Sequence, residues 1–347
     1  MKKHSKFTLS EKKLLQSNFQ ELDLKIKNPQ LSQSIQIIHQ ELKNLGFVHF
    51  QVKFYFGPEW FCPEESYHIS IPFYFANKKL LRLEKKIMID VEGGSQKEML
   101  QLMRHECGHA FEHAYRLTRS PEYKKIFGNP RQNYQPETYK SMPYSKRFVQ
   151  YLDNYYAQAH PTEDFAESFA VIMDPQSDWK KKYARWPLAF RKLNYIEKKI
   201  QLLQKKKPSL KVSRPLAESR KSVKTLEKHY KLRKEQLSDD YPAFHDADLK
   251  TIFKDQRENS SSSSQKRIPA WKMLEKNQKT LSKELSFWTG EKQFIILKLI
   301  KRLTLRAKLL QLHSLEKDQE TLFSLSAFLS TIITNYLHTG RFKRKAS

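Results

Sequence analysis

The sequence predicts an α+β protein, with a small sheet set among helices in its N-terminal half and a mostly α-helical C-terminal region. Three observations carry this reading. From Leu9 to Gly46 apolar residues recur at helical intervals (Leu14, Phe19 and Leu22, then Ile35, Ile38, Leu42 and Leu45), the period of an amphipathic helix. Phe47 to Phe56, FVHFQVKFYF, alternates and is rich in aromatic and β-branched residues, the pattern of a strand. Only 8 glycines occur in 347 residues, which disfavours an all-β sandwich with its many turns.

The elements follow in order. Pro29 interrupts the first helical stretch and Gly46 ends it. After the strand at Phe47–Phe56, His68–Ala76 and Ile87–Val91 are two further strand candidates, the last closed by Gly93-Gly94. Glu98–Tyr115 has no proline and reads as a helix. Ser120–Met142 carries Pro121, Pro130 and Pro136 and reads as a loop-rich insertion, followed by a helical Ser145–Tyr156. Pro161 opens another helix, with Glu163 and Asp164 in its first turn, where acidic groups suit the dipole. Beyond Pro175 the spacing predicts helices over Leu188–Leu203, Arg214–Leu237, Trp271–Leu315 and Glu320–Leu337, then a basic tail, Arg341–Lys345. Asn259 and the serines to Ser264 form a low-complexity tract. The expected organisation is a first domain at 1–205, a basic helical connector at 206–258, a Ser-rich linker at 259–266 and a basic α-helical region at 267–347.

The net charge is +27, and its distribution decides its meaning. Met88–Asp174 has 10 Lys/Arg against 12 Asp/Glu, whereas Pro175–Ser347 has 40 against 17. The excess therefore belongs mainly to the C-terminal half, where solvated lysine-rich helices rank ahead of a polyanion-binding surface. Two cysteines, Cys62 and Cys107, cannot staple so long a chain and are expected as reduced thiols in a cytoplasmic protein. The N-terminus lacks the apolar core of a secretory signal. The most apolar run, Leu322–Leu337, is too short and too polar to span a membrane.

Chemistry concentrates in Gln101–Tyr115, QLMRHECGHAFEHAY. His105 and His109 are four residues apart and share a helix face, so both imidazoles can reach one cation; Glu106 beside them is free to act as a base. In Tyr155–Val171, YYAQAHPTEDFAESFAV, Glu163 and Glu167 are again i and i+4. One of these carboxylates can supply a third zinc ligand while the other orients a ligand histidine. His113 continues the histidine row, but three imidazoles on one row cannot converge on a tetrahedral ion, so it is assigned to the surface. His160 is assigned a capping or surface role. His49 and His68 are read as strand-surface residues with no role.

HECGHAFEHAY together with YAQAHPTEDFAESFAV resembles a bacterial family of zinc-binding metallopeptidases, and the HExxH with a later ExxxE is similar to the gluzincin arrangement. Ser177–Pro187, SDWKKKYARWP, also resembles that family. The catalytic domain of anthrax lethal factor has a similar EFFAEAF segment. The resemblance implies a zincin-like fold over 1–205 and zinc (Zn2+) held by His105, His109 and Glu163. It further implies Tyr156 facing the substrate and Glu167 supporting a ligand histidine. Glu112 and Tyr115 replace the glycine and third histidine of a metzincin, so that reading is rejected.

The expected function is zinc-dependent peptide hydrolysis, with a metal-activated water, Glu106 as general base and Tyr156 as oxyanion donor, on a peptide or protein substrate. Such a sheet can pair its edge with extended substrate. A basic nucleic-acid or polyanion-binding protein with a structural or vestigial zinc site is the alternative. Secretion as an effector without a signal peptide is a further possibility raised by the lethal factor likeness.

Overall fold

The computed structural model describes residues 8–22, 24–88, 91–133, 142, 145–211, 225–240, 245–253, 267–291, 293–315 and 319–339. The expected linker at 259–266 and the basic tail at 341–345 lie outside the described residues. The chain divides into two compact units, Met1–Tyr230 and Lys231–Ser347. The described structure is mostly helical with small sheets, in agreement with the α+β class.

In the first unit, α1 (Leu9–Gln16) starts at a capping box made by Thr8 and Glu11. Helix α2 (Pro29–Asn44) starts at Asn28, whose side chain accepts the Gln30 N–H, and has Pro29 as its first residue. Gly46, at φ +83°, turns the chain after α2. Strands β1 (Phe54–Gly57) and β2 (Ile69–Pro72) then pair in parallel, Phe54 opposite Ile69 and Gly57 opposite Pro72. The remaining helices are α3 (Lys78–Ile87), α4 (Gln96–Ala114), α5 (Pro121–Phe127), α6 (Pro161–Met173), α7 (Trp179–Lys182), α8 (Pro187–Leu203) and the start of α9 (Leu226–Asp240), which runs past the unit boundary at Tyr230. The first turn of α9 closes the unit: Leu226 N–H donates to Ser17 O, and the Tyr230 hydroxyl donates to the buried Glu84.

Four expectations about elements are corrected. The alternation at Phe47–Phe56 yields a strand only from Phe54. Phe47, Phe50 and Val52 are buried, but Val48 N–H bonds to Gln204 O, just past α8, instead of to a sheet. Before Phe54 the pattern buries Phe47, Phe50 and Val52 at uneven spacing, with Val48 exposed, and makes no ladder. Ile87 belongs to a helix and not to a strand: Asn77 accepts the Lys79 and Leu80 N–H groups, launching α3 with Leu80, Leu83 and Ile87 inward. Ser145–Tyr156 is not helical before a 3-10 turn at Asp153–Gln158, because side chains claim its backbone donors. Glu167 accepts the N–H groups of Tyr151 and Leu152, and the Tyr183 hydroxyl accepts that of Gln150. Within the loop-rich insertion, Pro121–Phe127 is α5.

The second unit contains α10 (Asp246–Ile252), α11 (Ala270–Thr289), α12 (Gln293–Leu309) and α13 (Gln319–Thr339). Strand β3 (Arg267–Pro269) pairs antiparallel with β4 (His313–Leu315). The single long helix expected from Trp271 to Leu315 is therefore two helices and a strand. Gly290 adopts φ +72° and its N–H closes α11 on Ser286 O, a conformation that favours glycine. Leu274, Leu285, Ile300, Leu303, Leu329 and Ile333 fill this unit's core. No helix among the described residues is long and apolar enough to cross a membrane.

Candidate metal centre

Two helices build the site. Helix α4 begins at a capping box in which Ser95 and Glu98 satisfy each other's backbone N–H groups. It buries Met99, Met103, Cys107, Ala110, Phe111 and Ala114. Helix α6 begins at His160, whose imidazole accepts the Thr162 N–H, and Pro161 supplies the first turn. Phe111 of α4 stacks on Phe165 and Phe169 of α6, at centroid separations of 6.4 and 5.1 Å.

The closest approach is at Gly108. A Cβ placed there would lie 2.6 Å from Ala166 Cα and 2.8 Å from Ala166 O. The glycine inside the HExxH segment therefore lets the two backbones touch. In the sequence it stands out only as a weak helix former within a helix, and such a residue often marks a packing role.

At this crossing His105 Nε2 lies 3.0 Å from Glu163 Oε2, His109 Nε2 lies 3.3 Å from the same oxygen, and the two Nε2 atoms are 3.2 Å apart. This nearly equilateral triangle fits a metal. A tetrahedral zinc with bonds of about 2.0–2.2 Å separates its ligand atoms by about 3.3 Å. The electrostatics agree. Burial pulls His105 down, but Glu163 and Glu167 outweigh it and hold the imidazole well above its usual range. Burial pushes Glu163 up, but His109 and His105 hold it well below the carboxylate range. The three groups thus sustain a negative carboxylate facing positive charge, a role that a divalent cation assumes once the imidazoles lose their protons.

The neighbours of the triangle are equally specific. Glu106 is buried and raised by that burial, with His109 and His105 opposing; its Oε2 has no hydrogen-bond partner. A buried carboxylate oxygen without a partner among the described residues is costly, and here it stands beside the metal-competent cluster. Glu167 is fully buried and bridges two elements. Its Oε1 lies 2.9 Å from His105 Nδ1, while its Oε2 accepts the Leu152 N–H at 2.8 Å and the Tyr151 N–H at 3.3 Å. The Tyr156 ring lies 5.8 Å from that of His105, centroid to centroid, and follows Tyr155, whose φ of 57° is uncommon for an aromatic residue.

His113 and His68 are placed differently from the surface expectation, whereas His160 takes the expected capping role. His113 is half-buried, stacked on His109 at 6.2 Å, with Nδ1 3.7 Å from Cys62 Sγ. Burial and His109 lower it to about 4. His68 is buried. His160 caps α6.

Several supporting residues carry no motif signal. Glu112, raised to about 8 by burial, is buried against the Tyr123 hydroxyl. Lys192 of α8 pairs with the buried Asp164 of α6, donates to Arg147 O at 2.8 Å and lies over the Phe148 ring. Trp179 and Tyr183, from the SDWKKKYARWP stretch, pack with Val149, Ala157 and Val171 beneath the segment that carries Tyr156. Arg104 binds Glu41 of α2. Lysine and arginine in a chain this basic read as solvent-facing, and only the fold reveals that these two are buried.

Residues 87–219 match the model of the family described as "Putative zinc-binding metallo-peptidase". The match spans α4 to α8 and includes every residue of the triangle. No curated protein and no solved structure shows a significant match to this chain. The family description and the His105–His109–Glu163 group, which is the right size to hold a metal ion, together make zinc the cofactor.

Glu167 offers a graded check. If His105, His109 and Glu163 hold the zinc, Glu167→Ala is expected to weaken zinc affinity by about 10- to 100-fold, less than loss of His105 or Glu163, since it releases Nδ1 of His105 without removing a candidate ligand atom. Competition with a chromogenic chelator measures this; affinity unchanged from the parent rules out the supporting role.

Proposed function

We propose that this chain is a gluzincin-type peptidase with a zincin-like catalytic domain that hydrolyses peptide bonds at a zinc held by His105, His109 and Glu163. The observation that carries the reading is the unpartnered, buried Glu106 Oε2 beside a metal-sized triangle of ligands. A structural zinc site has no use for a free carboxylate there, whereas hydrolysis needs a group that accepts a proton. Zinc, when bound, polarises the scissile carbonyl and lowers the pKa of water to about 7.

The chain's own residues supply the rest. Glu106 takes a proton from the attacking water on its free oxygen and delivers it to the leaving amine. Burial raises its affinity for the proton, the direction that favours a carboxylate acting as a base. Glu167 accepts from His105 Nδ1–H, which leaves Nε2 as the lone-pair donor toward the metal. Tyr156, beside the His105 ring, donates its hydroxyl to the negative charge developing on the carbonyl oxygen. Both cysteines are free and buried, which supports a reducing, cytoplasmic setting.

The test is digestion of a diverse peptide pool by zinc-loaded and chelator-stripped protein, with metal analysis of the parent, His105→Ala and Glu163→Ala. Cleavage is expected only with zinc, and both variants are expected to be purified depleted of metal. Full zinc content in either variant removes that residue from the site.

A further inference from the structure

We propose that Arg104 and Glu41 are positioning residues for the metal centre, so that α2, which precedes the matched residues 87–219, belongs to the working unit. The proposal rests on the reading of His105, His109 and Glu163 as zinc ligands. Arg104 adjoins His105 in sequence, yet its guanidinium is buried and faces away from the triangle into a polar junction. On one side Nε and Nη2 form a fork on Glu41, at 2.8 and 2.7 Å. On the other, Nη1 donates to Asp174 Oδ2 at 3.0 Å and to the Tyr151 hydroxyl at 3.1 Å, and that hydroxyl also lies 3.2 Å from Asp174 Oδ2. One side chain thus ties together α2, α4, the residue that ends α6, and Tyr151.

Tyr151 is where this junction meets the metal centre. Its N–H and that of Leu152 bind Glu167 Oε2, and the other oxygen of Glu167 holds His105 Nδ1. The same strand of chain continues to Tyr156 five residues later. Up to Leu152 this stretch is non-helical, and the N–H groups of Gln150, Tyr151 and Leu152 are taken by side chains, so the way the chain enters the 3-10 turn at Asp153–Gln158 depends on the groups that grip it. Arg104 touches no ligand atom; it acts by fixing Tyr151, hence Glu167, hence the His105 ring. A lysine cannot replace it, because a single ammonium lacks the planar fork that engages Glu41 while reaching Asp174 and Tyr151. Glu41 is needed in turn, since a buried guanidinium stripped of its bidentate partner would reorient.

A purely structural role and a positioning role predict different results. Replacing a buried ion pair with apolar side chains of similar volume is often neutral for stability. The double variant Glu41→Met/Arg104→Met is therefore expected to keep the parent's far-UV circular dichroism and a Tm within a few degrees. Its affinity for Zn2+, measured by chelator competition with the metal alone, is expected to fall about 10- to 100-fold, the range for lost support of a ligand. On a peptide that the parent cleaves, kcat is expected to fall while KM stays within about two-fold. A folded double variant with zinc affinity within two-fold of the parent overturns the proposal.

Should the double variant not fold, Arg104→Lys keeps the charge and decides the matter in the same way. Loss of zinc affinity in folded Arg104→Lys supports positioning, and parent-like affinity overturns it. His105→Ala, assayed in parallel, separates the two levels. Full zinc binding by His105→Ala defeats the ligand reading and the proposal with it. Zinc loss in His105→Ala with parent-like binding in the Arg104 variants defeats the positioning role alone.

Discussion

Glu106→Gln is expected to lose nearly all peptide hydrolysis while retaining zinc and fold. Glutamine matches glutamate in shape, and Oε2 has no hydrogen-bond partner among the described residues to lose, so the native contacts survive. Burial already raises the carboxyl's affinity for a proton, so the neutral amide avoids a desolvation cost. What disappears is the ability to accept a proton, which contributes on the order of 100- to 10,000-fold in general acid–base catalysis. The measurement is kcat/KM on a peptide first validated with the parent, beside zinc content and Tm. Activity within a few-fold of the parent shows that some other group is the base. Loss of zinc in this variant shows instead that Glu106 helps to hold the metal.

Gly108→Val is expected to have the second largest effect, through geometry alone. Even a single Cβ at residue 108 would meet Ala166 Cα at 2.6 Å and Ala166 O at 2.8 Å, and these are backbone atoms with no rotamer to escape into. The helices must separate, and with them the proposed ligands, since His105 and His109 come from one helix and Glu163 from the other. Overpacking of this kind typically costs about 1–3 kcal/mol, and a fall in Tm of roughly 5–10 °C is expected for a unit of this size. Zinc binding should weaken more than stability does, because the distance from each imidazole to Glu163 Oε2 widens directly. Adding Ala166→Gly is expected not to rescue either property, as the clash is with the backbone and not with the alanine methyl. Rescue by that second change would show that the helices meet through side chains and can readjust.

The parts of this protein that were legible in the sequence are those that depend on neighbours within a turn or two. The i, i+4 step of His105 and His109 brings their Nε2 atoms to 3.2 Å because a helix fixes that relation whatever surrounds it. The N-terminus of α6 could likewise be read from His160-Pro161 and the acidic first turn. The long helices of the C-terminal region followed from apolar spacing, except at Gly290, where one left-handed residue divides what the periodicity joined, and at His313–Leu315, which pairs as a strand.

Where the sequence reading went wrong, non-local hydrogen bonds or burial decided the outcome. The alternation at Phe47–Phe56 is a pattern of residue types and not of even burial, and without a pairing strand at Phe47–Val52 it makes no sheet. Residues 145–152 have helix-compatible letters, yet their N–H groups are taken by Glu167 and Tyr183, which lie 15 to 33 residues away. His113 and His68 look like surface histidines because nothing local reports that other segments cover them.

The sequence by itself determined which groups can bind a metal and accept a proton, since side-chain chemistry and helical spacing are local properties. Only the tertiary structure decided which carboxylate oxygen meets both imidazoles, that Gly108 lets the helices close on Ala166, and that Arg104 and Lys192, two among 64 basic residues, are buried beside the site. Those depend on close packing between segments far apart in the chain, where one ångström of backbone approach settles whether three ligand atoms share a centre.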